Sequence, residues 1–231
     1  MAHRGELGPL KTEAPPLSLF ADAKLSTRCF LWLRSSFTSY RLIASTLPSQ
    51  GRLLDLGSGH GLLSFTLALG SERREIVGID HDPARVQLAE GAALRLKTTN
   101  RPTFHVGDLR ERIGTFAPGT LAGVAMIDIL HYFDPASQEF LIGEAARILA
   151  PGGILVMREI DAGAGIKAAV NRLYEWLATG IGFTRSAERQ LSFRAAREWT
   201  GLLETAGFSV HSLPSGPRLL ADLLFVARRN L

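Results

Sequence analysis

Short unbroken apolar runs alternate along the chain with stretches whose apolar residues recur every three or four positions. The runs fall at Arg52–Leu56, Glu75–Ile79, Thr103–Val106, Gly123–Ile127 and Ile154–Met157, each bounded by turn-forming residues. Runs of that length suit strands buried on both faces of a parallel sheet. The intervening stretches carry helix signals. From Leu25 to Leu47 a helix is expected, with Phe30, Leu33, Phe37, Tyr40 and Ala44 near one face and Pro48 as its stop. Asp82-Pro83 and Asp134-Pro135 each pair a capping acid with a first-turn proline, ahead of helical patterns. Pro151-Gly152-Gly153 reads as the turn that ends the second of these. In the last third, helices are expected near Ile166–Ala178 and Ala195–Ala206, followed by strands at Ser209–Ser212 and Leu223–Val226. Strand and helix in strict turn imply right-handed crossovers. The fold expected is α/β: a Rossmann-like, doubly wound, mostly parallel seven-stranded sheet with helices on both faces.

Residues 1–20, with three prolines and no periodicity, read as a loose arm, and 21–231 as a single domain. Within it, 50–160 is the expected ligand-binding half, with cover elements at 21–47 and 161–200. Composition changes this picture little. The chain has 231 residues, 46% hydrophobic and 21% charged, with a formal net charge of +4. Bases and acids interleave, so no basic track for nucleic acid is expected. A single cysteine, Cys29, excludes an internal disulfide and a thiolate metal site. No signal-peptide pattern and no apolar stretch of bilayer length is seen, so a cytoplasmic protein without membrane contact is expected.

The chemistry concentrates in LLDLGSGHG, residues 53–61. In a doubly wound sheet, ligands bind beyond the carboxyl ends of the strands, where this first strand-to-helix loop lies. Gly57, Gly59 and Gly61 would let a ligand approach the backbone at the start of the helix Leu62–Leu69. The spacing is G-x-G-x-G, and Leu62 stands where a dinucleotide fingerprint has its third glycine. Asp55, just ahead, suits a cationic ligand better than a diphosphate.

This loop resembles the first motif of the class I S-adenosylmethionine-dependent methyltransferases, and the following elements keep that family's order. The resemblance implies S-adenosyl-L-methionine as cofactor. It implies an acid that holds the ribose at the end of the second strand, matched by Asp80 in EIVGIDHDP with His81 beside it. It further implies an acid near the adenine, matched by Asp108 in FHVGDLRE with the backbone of Leu109 next to it. After the fourth strand it implies an acid and a pocket-lining turn, matched by Asp128 to Tyr132. L-x-P-G-G ahead of the fifth strand is matched by Leu149, Pro151, Gly152 and Gly153. Asp55, Gly57, Ser58, Gly59 and Gly61 complete the cofactor set. A weaker resemblance of HYFD and REIDAGAG is to small bacterial methyltransferases that accompany fatty-acid-like or aromatic polyene synthesis.

For catalysis, His131 is a candidate general base just past the fourth strand, or a packed wall of the pocket. Glu159 and Asp161 are candidates for touching substrate, or solvated acids and partners of Arg158. Asp55 could instead cap the loop's own amides, and Asp108 could be a plain turn residue. Trp176, Phe183 and Trp199 lie where the family builds its substrate cover, and TGIGFTRS at 179–186 reads as a lid. No metal site is evident, since REIDAG lacks the acid-asparagine pair of metal-dependent members. The expected activity is methyl transfer to a small, partly apolar acceptor, at oxygen. The alternatives are a nicotinamide- or flavin-dependent oxidoreductase, a non-catalytic cofactor-binding subunit, and an amino-directed nucleic-acid enzyme, whose N/D-P-P-Y/F signature is replaced here by DILHY. The oligomeric state is open.

Overall fold

The computed structural model describes residues 17–165, 191–215 and 221–231. Seven strands form one sheet in the order β3-β2-β1-β4-β5-β7-β6. They are β1 (Gly51–Leu56), β2 (Arg74–Asp80), β3 (Thr103–Val106), β4 (Leu121–Ile127), β5 (Leu149–Ile160), β6 (Phe208–Pro214) and β7 (Asp222–Arg229). The first five pair in parallel, while β7 runs antiparallel to both β5 and β6. The expected seven-stranded α/β sheet is present, with this antiparallel pair at one edge.

Helices cover both faces: α1 (Leu25–Phe37), α2 (Tyr40–Thr46), α3 (Leu62–Gly70), α4 (Pro83–Arg95), α5 (Leu109–Gly114), α6 (Pro135–Ile148) and α7 (Ala196–Thr205). Successive strand residues point to opposite faces, so neighbours in sequence join different cores. Leu53, Ile76, Ala125 and Ile127 pack with α1 to α4, whereas Leu54, Val77, Val124 and Met126 pack with α5 to α7.

The proline-led helices start as their sequences require. Asp82 accepts the amides of Ala84 and Arg85, and Asp134 those of Ala136 and Ser137. Three expectations are corrected. The helix at Leu25–Leu47 is two helices, broken where Thr38 turns extended, in a Ser/Thr-rich stretch that competes for backbone hydrogen bonds. Pro151-Gly152-Gly153 is not a separate turn but the irregular start of β5, where Gly152 has φ +75° and the register against β4 shifts. Leu17–Phe20, read as part of a loose arm, is a 3-10 turn that buries Leu19 and Phe20. The helix at Ile166–Ala178, Trp176, Phe183 and the lid at 179–186 lie outside the described residues.

Arg74 ties α2 and α3 together beneath the sheet. Its buried guanidinium donates to the carbonyls of Ala44, Leu47, Pro48 and Leu67. The last turns of both helices are thereby satisfied by one cation, the sign their dipoles favour.

Candidate active site

Strand order reverses at β1, which has β2 on one side and β4 on the other, and the carboxyl ends there open on a cavity of about 220 Å³. Its floor is the glycine loop, its sides carry Asp55, Asp80, Asp108 and Asp128, and α1 and α2 contribute Phe30, Leu31, Arg34 and Tyr40. Tyr132 and Phe133, from the turn after β4, complete it.

The three glycines serve different ends. All have positive φ, which glycine adopts without strain. A side chain on Gly57 would meet Ile129 at 2.4 Å, and one on Gly61 would meet Phe104 at 2.7 Å. Only Gly59 has nothing within 4 Å. Two glycines therefore serve packing, and one leaves the backbone bare toward open space.

The loop's amides are spent internally. Gly57 and Ser58 donate to the carbonyl of Ile79, Gly61 to that of Ser58, and Gly59 to Asp80 Oδ2 at 2.8 Å. Asp80 Oδ1 takes the amide of Asp82 at 2.9 Å. Asp55 takes both the amide and the hydroxyl of Ser64 in the first turn of α3, the latter at 2.6 Å. Thus Asp80 ties the loop, a role considered for Asp55, and Asp55 fills the helix start where a phosphate would sit. The arginines on the cavity wall are each paired with an acid: Arg34 with Asp128, Arg85 with Asp82, Arg110 with Asp108. A diphosphate would meet carboxylates here rather than free donors.

Burial raises the Asp55 carboxyl to about 6, with the Ser64 bonds opposing and the Asp80 charge adding to the rise. Burial lowers His60, on the cavity wall and 6.0 Å from the Phe30 ring, to about 4, so its imidazole is neutral at pH 7. Ser58 Oγ is buried without a hydrogen-bond partner among the described residues. A bare glycine beside two acids, with no free cation on the wall among the described residues, fits a phosphate-free, cationic nucleoside.

Asp108 caps α5 through the amides of Arg110 and Glu111 and bonds the Arg110 guanidinium, which together hold its carboxyl below the usual range. It also lines the cavity, so the turn role and the wall position coexist. The side chain of Leu109 is buried in the core. His81 is half exposed, with Nδ1 3.5 Å from Asp80.

On the other flank, Asp128 leaves β4 with φ +55° and bonds Arg158 at 2.5 Å and Arg34 at 3.1 Å. Burial pushes its carboxyl up, but the two guanidinium charges prevail and hold it below the usual range. Arg158 also bonds Asp222 at 2.6 Å. Sequence reasoning missed this cluster and the cavity positions of Arg34, Tyr40, His60 and Phe133. The available signal was a charged residue, Arg158 or Asp222, set directly against a long apolar run.

His131 is buried, with Nδ1 2.7 Å from Glu159 Oε2. Glu159 Oε1 accepts the Leu130 amide at 2.7 Å, so this acid holds the histidine turn rather than pairing with Arg158. The His131 ring stacks on Phe193 at 5.2 Å and lies 4.2 Å from that of Tyr132. It stands directly behind Tyr132, which faces the cavity. Asp161 accepts the amides of Gly163 and Ala196, fixing the start of α7. Trp199 is buried in the core. Among the described residues, no group of His, Cys, Asp and Glu could hold a metal ion.

A family model described as a methyltransferase domain matches residues 33–213. No curated protein matches the sequence. Among solved structures, an O-methyltransferase family protein from Burkholderia thailandensis superposes with TM-score 0.68 at 18% identity, over 93% of this chain and 59% of its own. A S-adenosylmethionine-dependent methyltransferase from Methanosarcina mazei gives 0.63 at 24%, over 84% and 99%. The CurJ carbon methyltransferase gives 0.67 at 18%, over 94% and 61%. The chain thus spans about three-fifths of the Burkholderia and CurJ proteins, and at these identities the likeness concerns the fold. The match over most of the chain places it in the family with this methyltransferase domain. It belongs to the class I S-adenosylmethionine-dependent methyltransferase family, whose cofactor is S-adenosylmethionine.

Proposed function

We propose that this enzyme moves a methyl group from S-adenosylmethionine to a hydroxyl of a small, partly apolar acceptor. The cofactor supplies a methyl already activated on a sulfonium. Asp80 and Asp55 supply negative charge at the strand ends, and Gly59 permits close approach. Phe30, Leu31, Tyr132 and Phe133 give the acceptor an apolar surface and keep water out, which favours a step that neutralises charge.

The observation that carries the oxygen assignment is the His131–Glu159 contact of 2.7 Å. A carboxylate on Nδ1 fixes the ring and stabilises an imidazolium; the ring is buried and off the cavity lining, so Tyr132, which does line the cavity, must move aside for the acceptor hydroxyl to hand its proton to His131. Related folds include both oxygen- and carbon-directed enzymes, so the fold does not choose the atom.

The test is single-turnover transfer of a labelled methyl group to a panel of phenols and hydroxy acids, with the product's new bond read by NMR. His131→Asn should lower the transfer rate by about 10²–10⁴-fold while leaving the affinity for S-adenosylhomocysteine unchanged. Glu159→Gln should shift the pH profile of the remaining activity. A carbon-methylated product, or a His131→Asn variant altered only in acceptor KM, would contradict the assignment.

A further inference from the structure

Helix α1 has two faces of opposite use. Its inner face puts Phe30, Leu31 and Arg34 on the cavity, and Arg34 reaches across to Asp128. Its outer face carries Leu25, Cys29 and Trp32, spaced four and three residues apart and therefore in one stripe. Leu25 is 73% exposed and Trp32 60%, and Cys29 is exposed as well. Large apolar side chains that gather in a stripe on a roof helix, rather than scattering singly, mark a contact surface.

The charge around the stripe indicates what the contact is. Between Asp22 and Asp55 the chain carries five basic residues and no acid. Arg34 faces Asp128 and Arg52 faces Glu75, whereas the exposed Lys24, Arg28 and Arg41 have no ion-pair partner among the described residues. Trp and Leu on one helix face with Lys and Arg beside them is the pattern of a helix that lies in a lipid interface. No helix among the described residues is long and apolar enough to cross a membrane.

We propose that the outer face of α1 docks on an anionic lipid surface. Trp32 and Leu25 enter the headgroup layer while Lys24, Arg28 and Arg41 meet lipid phosphates and carboxylates. The inner face of the same helix lines the cavity, so docking sets the cavity within one helix of the bilayer. The acceptor is then an amphiphile that partitions into membranes and presents its hydroxyl at the interface. That last statement rests on the functional reading above; the docking does not.

The experiment is co-sedimentation of the full chain with phosphatidylserine-containing vesicles and with pure phosphatidylcholine vesicles, at low and high salt. Binding is expected to the anionic vesicles only, and to fall as salt screens the charges. Trp32→Ala should weaken it about tenfold, from the apolar area no longer buried. Arg28→Gln should weaken it about fivefold. Both variants should keep the wild-type melting shift with S-adenosylhomocysteine, since neither residue lines the cavity. Equal binding to both vesicles, binding to neither, or a dimer in light scattering that Trp32→Ala dissolves would overturn the proposal. Loss of the S-adenosylhomocysteine shift in the wild type would instead overturn the functional reading and leave the vesicle result standing.

Discussion

The two flanks of the cavity hold their acids in opposite ways. At β1 and β2 the carboxylates are held by the backbone and a hydroxyl: Asp80 by the amides of Gly59 and Asp82, Asp55 by Ser64. At β4, β5 and β7 they are held by cations, with Arg158 between Asp128 and Asp222 and Arg34 closing the row from α1. The first arrangement sets acids beside the open cradle, the charge that the proposed cationic nucleoside would meet. The second neutralises itself and spends its charge on joining three strands to the roof. On the proposed function, one flank attracts the ligand and the other holds the walls in place.

Removing the central cation breaks the second flank. In Arg158→Met the buried Asp128 and Asp222 each lose the Arg158 guanidinium, with Arg34 still on Asp128, and truncating one member of a buried pair costs about 3–5 kcal/mol. Urea unfolding of the variant should show that loss with an unchanged slope. A drop under 1 kcal/mol would mean that the cluster is dispensable.

On the first flank the sign reverses. The Asp55 carboxyl, raised to about 6, is favoured protonated in the folded state. Its ionisation cost is absent below about pH 4 and complete above about pH 6, so it erodes stability as pH rises through that window. Asp55→Asn should therefore stabilise the ligand-free protein at pH 7, by on the order of 2–3 kcal/mol, and the gain should vanish near pH 4. The difference between variant and wild type cancels the opposite, acid-side contribution of His60. The same variant should bind S-adenosylmethionine more weakly. Asp55→Asn that destabilises the ligand-free protein at pH 7 would contradict the view that this acid is kept for the ligand.

What the sequence discloses follows the same division. The glycine loop, Asp55, Asp80 and the capping acids Asp82 and Asp134 act on residues within a turn or at the end of the adjacent strand, so spacing alone reveals them. Asp128, Arg158, Asp222 and Arg34 meet across 30 to 94 positions, and only the order β1-β4-β5-β7 brings them together. His131 and Glu159 are legible as separate candidates, but their contact depends on β4 and β5 lying side by side. The break between α1 and α2 escaped because Phe37 and Tyr40 keep a helical period across it. The distinct tasks of Gly57, Gly59 and Gly61 are set by Ile129 and Phe104, which no local pattern couples to the loop.

On the proposed function, this cradle takes a phosphate-free cationic nucleoside over Gly59. The direct measurement is calorimetric titration of wild type and Gly59→Ala with S-adenosylmethionine, S-adenosylhomocysteine and NAD. Alanine at this left-handed position costs stability by only about 1–2 kcal/mol, but its methyl group projects into the space reserved for the ligand. Both sulfur nucleosides should bind the wild type, NAD should not, and a still-folded Gly59→Ala should lose binding. NAD binding in their place, or full affinity in Gly59→Ala, would contradict that function.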